Sequence, residues 1–199
     1  MKNYLILLVL SSVIFSCGNV KTVEQLNDEG KVEEKYSINK KTQKKEGKLF
    51  RYYKDGSVFE ESNYKDDELQ GERKMYYENG KVEILENYIN GEFDGPYITY
   101  HQNGKVNNEG VYTAGMMQGE WKRFYDNGQL RETVMFKDNQ ENGPFIEYYK
   151  NGNLKAEGAY LDGDNEHGEL KMYDESGKLV KKMNCERGVC RTSWTAEEE

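Results

Sequence analysis

Side chains able to do covalent or acid–base chemistry near neutral pH are scarce in this sequence. Its 199 residues include 2 histidines and 3 cysteines, and nucleophilic catalysis needs such a group held against a base. His101 occupies an aromatic slot of a recurring pattern and His167 directly precedes a hairpin glycine, Gly168, so both are expected to be structural. Acidic residues are plentiful, 36 in all, but none forms a recurring pair apart from solvated strand faces, which leaves a glycosidase-type pair without an anchor. The run Asp162-Gly163-Asp164-Asn165-Glu166 places oxygen donors at alternating positions, as a calcium loop does. It fails in detail, because His167 stands where an EF-hand needs glycine and Tyr173 where it needs a bidentate glutamate. A longer turn is the better account. Every glycine is accounted for by a turn, so no phosphate-binding loop is expected. The chain reads as having no catalytic residue, no metal and no cofactor. A formal net charge of −8 disfavours nucleic acid as a partner.

The N-terminus carries a different kind of chemistry. Lys2 precedes a mostly apolar run from Tyr4 to Phe15 that ends at Ser16-Cys17. This has the layout of an export signal and is shorter than the ~20 residues that span a bilayer. Ile14-Phe15-Ser16-Cys17 resembles a bacterial lipobox, which implies a signal peptide over 1–16, diacylglycerol on the Cys17 sulfur and anchoring in the membrane. Gly18 is no retention signal of the aspartate type, so the outer membrane is favoured. With Cys17 lipidated, Cys185 and Cys190 are left to each other. In an oxidising compartment, and with Glu186 to Val189 long enough to reverse the chain, a disulfide is expected. A structural zinc site would need four ligands, and neither histidine is near in sequence.

The elements that must carry these groups are set by a repeat. Glycines at 47, 71, 95, 119, 143 and 168 are each followed nine residues later by another, at 56, 80, 104, 128, 152 and 177. Such a period of about 24 residues marks a repeat architecture, in which each unit buries its apolar face against its neighbours. Hydrophobic residues are only 36% and mean hydropathy is −1.00, so rings take over from aliphatic residues: 16 Tyr, 7 Phe and 2 Trp. Within a unit a large apolar residue often follows the first glycine by two, and aromatics by five and commonly six. A Val or Leu follows the second glycine by two and an aromatic by eight, the last unit holding Cys185 in that slot.

Asn-Gly, Asp-Gly or Ser-Gly pairs before the second half of each unit predict tight hairpin turns in which both residues tolerate positive φ. The fold class is all-β, an elongated single-layer antiparallel meander of stacked hairpins with about 13 strands. The expected layout is a tether over 17–27, a degenerate capping half-repeat over 28–46, six repeats over 47–191 and an acidic tail over 192–199. Register stays open. A two-residue turn groups positions two, six, eleven and seventeen on one face, while a three-residue turn with a glycine bulge would bring the position-five tyrosines there.

Gly119-Glu120-Trp121-Lys122-Arg123-Phe124-Tyr125-Asp126-Asn127-Gly128 and the run from Gly143 to Gly152 resemble the MORN repeat, and more closely its bacterial variant form. The resemblance spans Gly47 to about Cys185. It implies an extended hairpin array without family catalytic residues, acting in protein or membrane contacts, and many bacterial members bear an antitoxin-like label. The expected function is a non-enzymatic, lipid-anchored envelope scaffold for a protein or glycan partner, with an antitoxin or immunity-like role as the alternative. Trp121, Tyr125, Tyr148 and Tyr149, in the two most aromatic repeats, are the candidate binding residues, since flat amphipathic side chains recognise partners at low entropy cost.

Overall fold

The computed structural model describes residues 18–196, so Cys17 and the expected signal peptide lie outside the described residues. Among the described residues there are 17 strands, all in one sheet, and no helix. Pairing is antiparallel throughout and follows chain order from β1 (Val20–Leu26) to β17 (Val189–Thr195), with two short strands sharing their neighbours' partners. β5 (Glu68–Leu69) and β6 (Gly71–Tyr76) share one partner, as do β8 (Glu92–Phe93) and β9 (Gly95–Tyr100), which leaves fifteen strand positions. At ~4.8 Å per strand the sheet is about 70 Å long.

Both ends differ from the sequence expectation. The supposed tether is β1, which pairs with β2 (Val32–Asn39), and residues 192–195 of the supposed acidic tail belong to β17. The reason at the N-terminus is local. Asn27 accepts the Glu29 and Lys31 N–H groups on its side chain, and Gly30 at φ 77° closes the same turn that the repeats use. What reads as a half-repeat is therefore completed into a hairpin.

The turns also exchange roles. At Asn27, Tyr53, Tyr77, His101, Tyr125, Tyr149 and Asp174 the N–H bonds to the carbonyl four residues on, and the carbonyl accepts from the glycine three residues on. This is a three-residue turn with a glycine bulge: Gly56, Gly80, Gly104, Gly128, Gly152 and Gly177 have positive φ, while the Asn, Asp or Ser before them does not. The two-residue turns with both φ positive lie at the opposite edge, in the links between units: Asp66-Asp67, Asn90-Gly91, Ala114-Gly115, Asp138-Asn139 and Arg187-Gly188. Asparagine is preferred before glycine for another reason. Asn103 accepts the Lys105 N–H and donates its Nδ2–H to the Asp126 carbonyl one repeat on, at 2.7 Å. Asn79, Asn127 and Asn151 repeat the contact.

Because the bulge inserts one residue, Arg51 pairs Glu60 but Tyr52 pairs Val58. Positions two, six and seventeen share one face, and position eleven crosses to the other. The position-five rings stay with position eleven on the opposite face, contrary to the bulged-turn expectation, since no bulge separates positions two and five on their own strand.

Gly128 sits at φ 87°, and a Cβ there would meet the Lys105 side chain at 3.2 Å. We expect Gly128→Val to cost about 2 kcal/mol through backbone strain, whereas Lys122→Ala, which removes a surface ion pair with Glu120, should change stability by less than about 0.5 kcal/mol. Chemical denaturation of the two variants checks this. Equal, small losses would mean that the turn does not require glycine.

Candidate functional site

The face carrying positions two and seventeen is closed by its own packing. At its N-terminal end it is ionic. Glu60, 1% exposed, accepts Arg73 Nε at 2.9 Å, Arg51 Nη1 at 3.0 Å and the Ser62 hydroxyl at 3.0 Å. Arg73 also donates to Glu86, which accepts the Tyr88 hydroxyl at 2.9 Å. Burial, reinforced by the bond to Glu86, pushes the Tyr88 phenol up to about 12. In the middle, Phe93, Tyr97, Tyr112, Trp121 and Phe136 pack ring against ring with centroids 4.9–6.3 Å apart. Further on, Val134, Phe145, Ala156, Leu170 and Cys185 form the apolar core cluster.

Two glycines serve this face and no turn. Gly110 and Gly158 lie mid-strand without positive φ, opposite Tyr97 and Phe145. A Cβ on Gly110 would fall inside the Trp121 indole, and one on Gly158 would come within 2.9 Å of the Phe145 ring. A glycine inside a strand pattern marks such close approach, which is the signal the turn-only account missed.

In every unit but the last, where Asp174 follows Tyr173, two adjacent aromatic rings divide between the faces. The second of them is a clamp: Tyr53, Tyr77, Tyr125 and Tyr149 donate their hydroxyls to carbonyls of the next unit at 2.6–2.9 Å. His101 fills the same slot, its Nε2 lying 3.0 Å from the Phe124 carbonyl. The first of them, Tyr52, Tyr76, Tyr100, Phe124, Tyr148 and Tyr173, forms a column on the opposite face, each paired across the strand with a valine or leucine. The result is a continuous apolar stripe of alternating aromatic and aliphatic residues.

Of the sequence-derived candidates, Tyr125 and Tyr149 are therefore clamps and Trp121 belongs to the packed face, its Nε1 buried without an acceptor. Only Tyr148 lies on the open column. The structure does not bring the four together, because neighbouring positions on one strand point to opposite sides. Cys185 and Cys190 face each other across β16 (Leu179–Glu186) and β17, joined by a disulfide with Cα atoms 4.0 Å apart. Asp162 and Gly163 both have positive φ, and the longer loop they sit in closes through the Leu161 N–H to the Asn165 carbonyl. Burial, then Glu132 and Asp164, pushes the nearby Glu141 carboxyl above its usual range. Among the described residues no three histidine, cysteine or acidic side chains are grouped to hold a metal.

Comparison with curated proteins gives no match. Among solved structures the chain is similar to the Photorhabdus luminescens Tc holotoxin pore in a TccC3 mutant form, at 11% identity over 83% of this chain and 12% of that one, with a TM-score of 0.24. It is also similar to a complex of TcdB2, TccC3 and Cdc42, at 10% identity over 85% of this chain and 13% of that one, with a TM-score of 0.23. The chain spans far less than two thirds of either, and at these scores neither likeness bears on its fold or function. The family comparison is of another order. The MORN repeat variant matches six times, at residues 45–66, 69–90, 93–114, 117–138, 141–162 and 166–184, each copy ending in or near a two-residue turn. With its hairpin meander and six repeats in register, this chain belongs to the MORN repeat variant family.

Proposed function

We propose that the protein is a non-enzymatic repeat scaffold, lipid-anchored in the cell envelope with the outer membrane favoured, which offers one face of its sheet to a protein or glycan partner. The observation that carries the binding role is the division of the aromatics. One column is consumed in clamps between repeats, while the other forms a half-buried stripe in which only Tyr76 and Tyr173, among the described residues, bond a neighbouring unit through their hydroxyls. An exposed apolar strip rimmed by charge is a common form of interaction surface. The anchor rests on the Ser16-Cys17 motif.

Fractionation tests the anchor. Wild-type protein should sediment with membranes as a processed, acylated chain, and Cys17→Ser should remain unacylated and leave the lipoprotein-processed fraction. A soluble, unprocessed wild-type chain in the cytoplasm would overturn the envelope reading and favour an antitoxin or immunity-like role.

A further inference from the structure

We infer that the open stripe is a docking track for a proline-rich segment in the polyproline II conformation. This rests on the scaffold reading and narrows it to one class of partner. Equivalent positions on the stripe are two strands apart, about 9.6 Å. A polyproline II helix repeats every three residues, about 9.3 Å. An extended β-strand presents one side every ~6.7 Å, and an α-helix returns to the same face after seven residues, ~10.5 Å. Over three repeats only the polyproline II period stays within about 1 Å of the stripe.

The chemistry of the stripe agrees with its period. Among the described residues, the hydroxyls of Tyr52, Tyr100 and Tyr148 have no hydrogen-bond partner, whereas those of Tyr76 and Tyr173 donate to Glu61 and Glu157 and Phe124 has none. Free donors therefore recur in alternate units, about six polyproline II residues apart. That conformation leaves its own carbonyls unbonded and able to accept them, while proline rings pack between aromatic ridges. Lys48 and Lys122 beside the stripe are already ion-paired, with Glu61 and Glu120, so a carboxylate ligand has little to gain from them. The sheet's twist limits contact by a straight segment to two or three consecutive repeats.

The test is fluorescence anisotropy of labelled decaproline titrated with the full chain in nonionic detergent, with a Gly-Ser decapeptide and cellohexaose as comparison probes. Decaproline should bind and the Gly-Ser peptide should not. Tyr100→Phe/Tyr148→Phe, which keeps both rings, should weaken decaproline about tenfold with an unchanged melting curve, and the clamp variant Tyr125→Phe should leave affinity unaltered. No decaproline binding, equal binding of the Gly-Ser peptide, or indifference to the double variant would overturn the inference. Retention of cellohexaose in place of decaproline, lost in the double variant, would overturn the polyproline assignment and leave the scaffold reading standing.

Discussion

Replacing Glu60 with alanine should lower stability by about 3–4 kcal/mol, the cost of stranding buried charge that has lost its partner. Glu60 sits between Arg51 and Arg73 with almost no contact with solvent. Its loss leaves Arg51 with Glu34 alone and Arg73 with Glu86 alone. Burial by itself would raise the Glu60 carboxyl, but the hydrogen bonds and charge of Arg73, then Arg51 and Ser62, outweigh it and hold the group below its usual range. The pH dependence follows in sign. A carboxyl whose folded value is depressed contributes stability that is present above its unfolded value, about 4.3, and is lost as pH falls through the folded value. Urea titrations from pH 7 to pH 3 should therefore show wild type losing more stability than Glu60→Gln over the acid part of the range. Parallel profiles, or a loss below about 1 kcal/mol for Glu60→Ala, would mean that the network contributes little.

Gly110→Val should be the most damaging change outside the ionic network, costing about 3 kcal/mol through overpacking. The Trp121 ring lies over the Gly110 backbone and is held from three sides by Tyr97, Tyr112 and Phe136. It has nowhere to retreat without opening the aromatic cluster. Shrinking it should help, so in a Trp121→Leu background the same substitution should cost much less. A double-mutant cycle measures that coupling. Additive losses would show that the clash is relieved by backbone movement and not by the ring.

The architecture was legible in the sequence because a period and a turn pair are local signals. What Asn-Gly means was not. Its amide does two jobs, capping its own turn and bonding the next repeat, and the second exists only once neighbouring units stack. The ionic network has a readable trace. Where most units place Leu49, Tyr97, Trp121, Phe145 or Leu170, the second places Arg73, and Glu86 stands directly across the strand. Seeing that pairing requires the register, and the register depended on the bulged turn. The same uncertainty blurred the candidate site. Tyr148 and Tyr149 are adjacent and chemically alike, and only the faces they point to separate an open ring from a clamp.

The packed face changes along the array, from salt-bridged at Glu60 and Arg73 through rings at Trp121 to aliphatic side chains at Ala156 and Leu170. Repeat genes commonly grow or shrink by copying whole units, and uniform units would tolerate such edits anywhere. Here each unit fits only between its own neighbours. A second unit moved beside the fifth would bring Arg73 and its own Glu86 against Phe145, without the Glu60 of the first unit that binds the other side of the guanidinium. The order of the units is thus written into the face they share, and a chain with a shuffled or duplicated unit would carry its own mark of error as a buried guanidinium short of one of its two carboxylates.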